Sequence, residues 1–401
     1  MDELPLHSKQ MSVLRNYRFR LYPTHEQAVR LQTPLDASRW LYNYFLNHTN
    51  LSSCSKEDMQ FALTELKEQE TWLRNYHSKM LQMVIHKIDS SKKALRMLRR
   101  NGHKIGKLQF IKYEDYNSFI YNQSGFKIER HGNTDLLWLS KIGYVEIRLH
   151  RTIKIKNIKQ ITICKHANNK WYAVVCCEVQ KPIFRFVNVM NKSVGIDVGI
   201  TKFAHDSNNH IIDNPQHLTK MLKPLRRASR RMSRTQKGSK NRQKAKTRLQ
   251  ILHERIRNKR NDFLHKISYH YSQKYDVIFL EKLQTLNMVK NRHLSQQILD
   301  SGWGTFKQFL KYKAKTVVEV NPYNTSVNCS KCGNRVSKTL ATRTHRCDRC
   351  GLVIDRDYNA SKNILKVGLQ NLLLPREPGK VTPVEILLFE SMKQEEKKPP
   401  N

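Results

Sequence analysis

The N-terminal part of the chain changes from a strand pattern to a helical pattern. Residues 14–23, LRNYRFRLYP, alternate polar and apolar positions, which is the two-residue period of a β-strand. In residues 25–100 apolar side chains recur at three- and four-residue spacing, which predicts successive amphipathic helices. Thr24 and Gln27 have the spacing of a helix-capping box, and Pro34 should kink or split the helix that follows.

Residues 108–190 carry a second pattern of short segments rich in Val, Ile, Tyr and Trp. These segments are GFKIER, DLLWLSKIG, YVEIRLH, KQITICKH and KWYAVVCCEV. The polar stretches HGN and HANN separate some of them as turns. The pattern predicts a small antiparallel sheet or barrel.

From residue 193 onward apolar strands alternate with helices, which indicates an α/β domain. The strand in SVGIDVGITKFAHD reaches Asp197 and Gly199, and the strand in DVIFLEKL ends at Glu281. A helix SGWGTFKQFLKYKA, a strand TVVEV and a last helix within DYNASKNILKVGLQNLLL follow. The tail, residues 375–401, ends in KQEEKKPPN and is expected to be disordered.

Composition adds a strong indication of the partner. The chain has 401 residues, 39% of them hydrophobic, which allows two to four domains with real cores. Its 73 Lys and Arg against 33 Asp and Glu give a formal net charge of +40, which favours nucleic acid over a generally basic soluble protein. The start, MDELPLHSKQ, lacks the pattern of a secretory signal, and no stretch approaches the roughly 18 apolar residues of a membrane span. We expect no membrane partner and a cytoplasmic, nucleoid-associated protein.

The positive charge is concentrated in residues 220–262. Between residues 220 and 260 there are 17 Lys or Arg and one acid, Glu254. Such dense like charge repels itself, which favours contact with a nucleic-acid backbone over a solvated helix. These side chains would hold phosphates without reading sequence. The residues predicted to do so are Arg226, Arg227, Arg230, Arg231, Lys240 and Arg242.

Four aromatic residues of the N-terminal part have two interpretations. Trp40, Tyr42, Tyr44 and Tyr76 could stack on bases. Their helical spacing favours a place in the core instead.

Four of the eight cysteines form two Cys-x2-Cys pairs, separated by 14 residues and each followed by a glycine. A two-residue gap lets two thiolates point at one ion, so the spacing predicts a zinc site. Because four ligands close the site, it should be structural. His345 is a weaker alternative ligand, and we expect it at the surface instead. The predicted ligands are Cys329, Cys332, Cys347 and Cys350. The scattered cysteines should be small buried residues, and these are Cys54, Cys164, Cys176 and Cys177.

Three carboxylates stand at the ends of predicted elements in a chain where acids are scarce. Asp197 and Glu281 end apolar strands, and Asp357 stands at the start of the last helix. Singly, each would be a solvated strand end or a helix cap. Together, they match a carboxylate set that holds two divalent ions for phosphodiester hydrolysis, and oxygen ligands suit Mg²⁺ or Mn²⁺. Gly199 leaves room for a phosphate to approach the backbone.

Several motifs, in this order, resemble the TnpB family of transposon-encoded RNA-guided nucleases, which are related to type V CRISPR effectors. They are VGIDVGITKFA, VIFLEKLQTLNM, SVNCSKCG with HRCDRCG, and DRDYNASKNIL. YRFRLYPTHEQ, WLYNYFLNH and LSKIGYVEIRLHR are similar to the N-terminal half of the family. The resemblance covers roughly residues 12–370 and is specific through the combination of motifs.

The resemblance implies a multidomain α/β fold. It consists of an RNase H-like (RuvC) nuclease domain with an inserted zinc ribbon, preceded by a β-barrel wedge domain that a helical recognition domain interrupts. The implied ranges are 1–22 for the first wedge strand, 23–107 for the helical domain, 108–190 for the wedge barrel, 191–325 and 354–374 for the two nuclease parts, and 326–353 for the zinc ribbon.

The resemblance also implies the activity. The family binds a guide RNA from the transposon end, recognises a short transposon-adjacent motif and cuts both strands of duplex DNA with one active site. Asp197 matches the first family carboxylate, Glu281 the second, and Asp357, before x-Asn-Ala, the third. The implied cofactors are two Mg²⁺ or Mn²⁺ ions and one structural Zn²⁺. We expect a monomer on one guide RNA.

Two departures from the family pattern keep alternatives open. KYKAKTVVEV lacks a few residues, including a glycine, that usually separate this helix and strand, and Ala360-Ser361 replaces the usual Ala-Ala. The shortening near Ala314 could impair the nuclease. The alternatives are a nuclease-inactive RNA-guided repressor and an unguided zinc-ribbon DNA-binding transposon accessory protein.

The two aspartates of DRDYNA need to be told apart. We expect the last helix to begin at or just after Asp357, whose side chain would cap the helix and face the metals. Ala360 and Ile364 should pack on the core. Asp355 should pair with a nearby base such as Arg349 or Arg356.

Overall fold

The computed structural model describes residues 11–48, 54–113, 115–166, 168–181, 192–339 and 342–373. Two compact units divide the chain, an N-terminal unit of Met1–Ile183 and a C-terminal unit of Phe184–Asn401. The predicted tail, 375–401, lies outside the described residues. Among the residues that are described, no helix is both long and apolar enough to cross a membrane.

The helices of the N-terminal unit follow its first strand. They are α1 (His25–His48), α2 (Lys56–Gln69), a 3-10 helix (Thr71–Asn75) and α3 (Ser78–Arg100). The predicted capping box is confirmed: the Thr24 amide donates to Gln27 Oε1 at 2.9 Å, and the Gln27 amide donates to Thr24 Oγ1 at 3.2 Å. Of the two predicted effects of Pro34, a kink or a split, the split is wrong, because α1 is continuous from His25 to His48. Pro34 lies inside α1 among its buried residues, where packing beside Leu31 and Leu35 offsets the hydrogen bond that proline removes.

One antiparallel sheet of seven strands completes this unit. The strands are β1 (Met11–Tyr22), β2 (Ser118–Asn122), β3 (Phe126–His131), β4 (Thr134–Leu139), β5 (Gly143–Arg148), β6 (Ile158–Lys165) and β7 (Trp171–Lys181), and their order is β2-β6-β7-β1-β5-β4-β3. Strand β1 lies in the middle, where Phe19 pairs with Ala173 and Arg20 with Arg148. The Tyr121 hydroxyl on edge strand β2 donates to the Ser140 carbonyl after β4 at 2.7 Å, so the two ends of the sheet approach one another as in a half-barrel. The predicted antiparallel sheet is confirmed.

The four aromatic residues with two interpretations belong to the core of the N-terminal unit. Tyr42 is buried, and Trp40, Tyr44 and Tyr76 pack against the same core. Trp40 stacks on Tyr44 with 5.2 Å between ring centroids. The core interpretation is therefore confirmed for these residues. The scattered cysteines are mixed: Cys177 is buried, whereas the other three are half-buried.

The C-terminal unit contains a five-stranded mixed sheet. Its strands are β8 (Ser193–Val198), β9 (Lys202–Asp206), β10 (Ile211–Asp213), β11 (Val277–Glu281) and β12 (Thr316–Val320), in the order β10-β9-β8-β11-β12. Strands β8, β11 and β12 are parallel, and β9 and β10 run antiparallel to their neighbours. The first four residues of β8 and of β11 are buried, as expected of parallel strands covered on both faces.

Six helices of the described residues accompany this sheet. They are α4 (His217–Ser233), α5 (Lys240–Lys274), α6 (Thr285–Met288), α7 (Ser295–Ser301), α8 (Trp303–Lys313) and α9 (Arg356–Leu373). One core cluster joins alternate residues of β8 and β11, such as Ile196 and Ile278, to Leu264 of α5 and Phe306 of α8. A second cluster joins the other face of β11, including Phe279, to α9. Alternation along the strands therefore assigns each side chain to the α5–α8 face or to the α9 face.

Helix α9 lies directly on the sheet at two glycines. A Cβ on Gly195 of β8 would lie 2.3 Å from the Ser361 carbonyl oxygen, and a Cβ on Gly368 of α9 would lie 2.1 Å from the Phe279 ring. Ala360 and Ile364 are fully buried, which confirms their predicted packing. The sequence of α9 thus places its N-terminus at a fixed point over the sheet.

The shortened link between α8 and β12 does not disrupt the sheet. Only Ala314 and Lys315 separate the two elements, yet all five residues of β12 pair in register with β11. Lys315 forms an ion pair with Asp276 at 2.6 Å, and the amide of Thr316 donates to the Asp276 carbonyl at 3.1 Å. These contacts carry the chain from the helix into the strand.

Candidate metal centres and nucleic-acid surface

The four clustered cysteines converge between β12 and α9. Two short antiparallel strands, β13 (Thr344–Arg346) and β14 (Val353–Asp355), flank the second pair. Within the described part of the chain, these four residues are the one group of three or more His, Cys, Asp or Glu side chains whose ligand atoms all lie within 4.8 Å of one another. Their ligand atoms belong to Cys329, Cys332, Cys347 and Cys350.

The spacing of the four thiols fits a tetrahedral ion. The Sγ atoms of Cys329 and Cys350 are 3.6 Å apart, and those of Cys332 and Cys347 are 3.5 Å apart. Zn–S bonds of about 2.3 Å in a tetrahedron place two sulfurs about 3.8 Å apart. The cluster is thus compatible with a zinc ribbon. Four thiols would fill all four positions of a tetrahedral ion, so no position stays open for catalysis.

His345 does not belong to this cluster. Its side chain is fully buried, and its Nδ1 contacts the ammonium group of Lys338. Burial and the nearby Lys338 charge both lower the pKa of His345. His345 is therefore an interior residue, and its expected position at the surface is wrong.

The sheet brings Asp197 and Glu281 to one edge and one face. Strands β8 and β11 are parallel, and Ile196 pairs with Leu280, so the next residue of each strand is one of the two acids. The carboxyl ends of parallel strands share an edge. Since Ile196 and Leu280 face α5 and α8, the two acids face α9.

Asp197 lies in the field of the other carboxylates. Burial raises the pKa of Asp197 well above its usual value, and the negative charges of Glu281 and Asp357 raise that pKa further. The opposite charge of Arg356 acts in the other direction. The three acids predicted from the sequence are therefore close enough to interact, although they are spaced more widely than the four thiols.

Glu281 has a specific hydrogen-bond partner. The hydroxyl of Thr325, in the loop after β12, donates to Glu281 Oε1. Burial raises the pKa of Glu281, and the hydrogen bond from Thr325 partly opposes that rise. The contact favours one orientation of the carboxylate.

The two aspartates of DRDYNA have different places from those expected. Helix α9 begins at Arg356, so the expected start at or after Asp357 is wrong. Asp355 is the cap instead: its Oδ1 accepts the amide of Asp357 at 2.8 Å and the amide of Tyr358 at 3.2 Å. Asp355 immediately precedes the first residue of α9, and from this position a side chain can accept the free amides of the second and third helical residues. Asp357 lies within that first turn.

Asp355 also contacts basic residues, but not the expected Arg349 or Arg356. Lys202 of β9 donates to its Oδ2 at 2.9 Å, and His205 Nδ1 lies 3.4 Å from its Oδ1. Burial alone would raise the pKa of Asp355, but Lys202 and the two amides hold that pKa below its usual value. Arg356 pairs with Asp357 rather than Asp355, with Nε 3.3 Å from Oδ1. Asp355 is a structural anion beside the three carboxylates.

Gly199 has a structural explanation in the turn between β8 and β9. Its amide donates to the Phe203 carbonyl at 3.2 Å. A Cβ at this position would lie 2.9 Å from the Lys202 carbonyl oxygen. The tight turn thus requires glycine, independently of any phosphate.

The predicted nucleic-acid residues lie on the α4–α5 hairpin. Arg226, Arg227, Arg230 and Arg231 of α4 and Lys240 at the start of α5 are exposed. Arg242 is half-buried and donates to the carbonyls of Met232 at 3.0 Å and Thr235 at 2.8 Å. Arg242 therefore closes the hairpin, whereas the exposed cations face solvent.

A groove of about 500 Å³ lies between α4 and α5. Ala245, Ile251 and Leu252 of α5 and Pro224 and Ala228 of α4 contribute apolar surface. Four cations also line it: Lys223, Arg227, Arg231 and Arg248. The hairpin combines a basic surface with an apolar floor.

Comparison with known proteins identifies the family. The family model described as "Probable transposase" matches residues 174–292, and the model described as "Cas12f1-like, TNB domain" matches residues 303–364. A "TnpB-like protein L79" of Acanthamoeba polyphaga mimivirus is 36% identical over 143 residues, which cover 33% of this chain and 27% of that protein. A "Putative RNA-guided DNA endonuclease" of Streptomyces pristinaespiralis is 30% identical over 376 residues, covering 89% of this chain and 90% of that protein. The chain belongs to the TnpB family.

Its place in the TnpB family agrees with the fold. A cryo-EM structure of a Cas12f1–sgRNA–target DNA complex is similar with a TM-score of 0.51 at 13% identity, covering 88% of this chain and 98% of that chain. A third family model, described as "Helix-turn-helix domain", matches residues 11–50. The described residues 11–48 of this TnpB-family chain form strand β1 and the single helix α1 instead of two helices.

Four polar residues at the carboxylate site were not predicted from the sequence. Lys202 and Thr325 contact the acids directly, and Asn359 and Asn363 of α9 bind the loop that carries Thr325. The spacing of the two asparagines, four residues apart on one helix, is the signal that could have indicated a shared inward face. Lys202 lies on β9 and Thr325 lies in the loop after β12, and the sequence around them has no comparable signal.

Proposed function

We propose that the protein is an RNA-guided DNA endonuclease of a transposable element that hydrolyses DNA phosphodiesters with two divalent metal ions. The observation that carries this proposal is the convergence of Asp197, Glu281 and Asp357 on the α9 face of one sheet edge, where their charges interact. Uncompensated carboxylates repel one another, so such a cluster is stable at neutral pH when cations neutralise it.

The three carboxylates are suitable ligands for Mg²⁺ or Mn²⁺. Two such ions, when bound, would activate a water molecule and stabilise the leaving oxygen. The protein's own part is to hold the carboxylates: β8 and β11 fix Asp197 and Glu281, and α9, capped by Asp355, fixes Asp357. The four cysteines would hold one structural Zn²⁺.

The strand order β10-β9-β8-β11-β12 supports an RNase H-like (RuvC) nuclease domain, with the carboxylates beside its central strands. In this layout residues 191–325 and 354–374 form the nuclease domain, and residues 326–353 form the inserted zinc ribbon. The seven-stranded sheet is the wedge domain, and α1–α3, between β1 and β2 in sequence, form the recognition domain.

The proposed partners are a guide RNA from the transposon end and duplex target DNA beside a short adjacent motif. The net charge of +40 and the exposed arginines of α4 support phosphate contact without base readout. The protein acts as a monomer on one guide RNA. Names and structures of its relatives, which include RNA-guided endonucleases and a complex with guide RNA and target DNA, support the same assignment.

The test uses protein co-expressed with the DNA that flanks its gene. We expect RNA to copurify, and sequencing of that RNA gives the guide from which matched duplex targets are made. With Mg²⁺ the wild type should cut only matched targets, and Asp197→Ala should bind the target without cutting it. Asp262→Ala, at an exposed acid of α5 paired with Lys266, is the control and should cut like the wild type.

Three results would contradict the proposal. An Asp197→Ala protein that cuts as fast as the wild type excludes the carboxylate centre. A wild type that binds its matched target but does not cut it with Mg²⁺ or Mn²⁺ is a guided repressor. A protein that carries no RNA and nicks DNA unaided is not guided.

A further inference from the structure

The loop after β12 holds a buried polar contact to the carboxylate site. Thr325 is 3% exposed, and its hydroxyl donates to Glu281 Oε1. The hydroxyl oxygen of Thr325 also lies 3.0 Å from the carbonyl oxygen of Pro322. Because a hydroxyl has one proton, only one of these acceptors can be served, and an ionised carboxylate is the stronger acceptor. Thr325 thus restrains the carboxylate when Glu281 is charged.

Helix α9 fixes the backbone of Thr325. The side-chain amide of Asn363 donates to the carbonyls of Thr325 and Asn328, both at 2.8 Å. One turn earlier, Asn359 donates to the Asn328 carbonyl at 2.8 Å and accepts the amide of Ser330 at 2.9 Å. The two asparagines are buried, so these bonds are costly to lose.

These contacts connect the three carboxylate-bearing segments. Helix α9 carries Asp357 in its first turn and, through Asn363, holds the loop whose Thr325 restrains Glu281. A side chain that fixes the orientation of a metal-binding carboxylate raises metal affinity, because less freedom is lost when the ion binds.

We propose that Thr325 is a positioning residue of the nuclease centre, whose hydroxyl orients Glu281 toward the divalent-ion site while Asn363 holds the threonine in place. The inference rests on the proposed function, since it needs a divalent-ion site at these carboxylates. In this proposal Thr325 acts through Glu281 and is not itself assigned as a ligand of the ions.

The test compares Thr325→Val, which keeps the shape and removes the hydroxyl, with Thr325→Ser, which keeps the hydroxyl. Mn²⁺ affinity is measured by isothermal titration calorimetry on the full-length protein, free of RNA and supplied with Zn²⁺ to fill the cysteine cluster. We expect Thr325→Val to bind Mn²⁺ about 10-fold more weakly and Thr325→Ser to stay within about twofold of the wild type. In cleavage assays, the Mn²⁺ concentration for half-maximal rate should rise for Thr325→Val, with DNA affinity unchanged.

Ser361→Ala is a matched control. The Ser361 hydroxyl is buried on the same helix but donates only to the Tyr358 carbonyl of that helix, so its loss should leave Mn²⁺ affinity unchanged. Melting temperature and zinc content of every variant show whether the fold is kept.

The outcomes separate the inference from the proposed function. Equal Mn²⁺ affinity of the wild type and Thr325→Val overturns the inference, and so does a Thr325→Ser protein as weak as Thr325→Val. If Asp197→Ala leaves the Mn²⁺ affinity of the protein unchanged, the divalent-ion centre itself is excluded.

Discussion

Two aspartates separated by one arginine have different functions at the start of α9. Asp355 accepts two amides of the first helical turn and the ammonium group of Lys202. Asp357 contributes its charge to the field that raises the pKa of Asp197, and Asp355 contributes less. A position difference of two residues is the difference between anchoring the helix and joining the carboxylate cluster. Because β14 ends at Asp355 and α9 begins at Arg356, Asp355 stands before the helix and Asp357 stands within its first turn.

Asparagine substitutions separate the two roles. Asp357→Asn should abolish cleavage, because an amide is a poor ligand for two hard cations, and should leave target binding intact. Asp355→Asn keeps a good helix cap but loses the ion pair with Lys202, so its free energy of unfolding should fall by about 0.5–1 kcal/mol. Cleavage should fall but persist, because only the ion pair with Lys202 is lost. Cleavage rates and electrophoretic binding assays on matched duplexes measure both effects; the reverse order of the two variants would contradict the assignment.

At the scale of elements, the site depends on how closely α9 approaches the sheet. Gly195 and Gly368 allow this approach, and the α9 asparagines bind the loop before the cysteine cluster.

The sequence predicts features that depend on residues close together in the chain. The Thr24–Gln27 capping box joins residues three positions apart, and the Cys-x2-Cys spacing gives the cysteine cluster directly. The contacts of Thr325 with Glu281 and of Lys202 with Asp355 span 44 and 153 residues. Such contacts exist only after the sheet and α9 have packed, so the sequence carries no pattern for them.

Gly195→Ala tests the close approach of α9. The added methyl would lie 2.3 Å from the Ser361 carbonyl oxygen, which belongs to the helix backbone and cannot rotate away. We expect a loss of about 1–3 kcal/mol in the free energy of unfolding, together with slower cleavage because Asp357 moves with the helix. Gly304→Ala in α8 is the matched control. Nothing lies within 4 Å of its Cβ, and alanine favours helix, so stability should stay equal or rise by up to about 1 kcal/mol. Denaturant titrations measure both; equal stabilities would show that α9 does not depend on the glycine.

At the scale of the whole molecule, charge is distributed unequally. The chain carries 73 Lys and Arg against 33 Asp and Glu, yet three of the acids meet at one sheet edge of the C-terminal unit. The order of motifs predicted the family, and the overall charge favoured a nucleic-acid partner. The continuity of α1 through Pro34 and of α5 through 35 residues was not predictable. Tertiary burial decides the first, and in the second a single helix contains both the end of the basic segment and the amphipathic sequence that follows it.

The carboxylate cluster predicts how stability depends on pH and on divalent ions. The pKa of Asp197 is raised in the folded protein, so its contribution to stability is fully present below its usual value of about 4 and is lost as pH rises through the folded pKa. The pKa of Glu281 is shifted in the same direction, whereas that of Asp355 is lowered and has the opposite effect. Without Mg²⁺ or Mn²⁺, Asp197→Asn should therefore melt higher than the wild type at pH 7, and this difference should shrink toward pH 4. A pKa shift of one unit corresponds to about 1.4 kcal/mol in the free energy of unfolding. The melting temperature of a domain as large as the C-terminal unit rises by about 2–4 °C for each kcal/mol.

Added Mg²⁺ should raise the melting temperature of the wild type more than that of Asp197→Asn, because ion binding stabilises only the folded state that holds the site. Scanning calorimetry between pH 4 and pH 8, with the cysteine cluster kept filled with Zn²⁺, measures these differences. An Asp197→Asn protein that melts at or below the wild type at pH 7 without divalent ions would mean that burial and the neighbouring acids do not destabilise the ionised Asp197, and the electrostatic case for a cation site beside it would be lost.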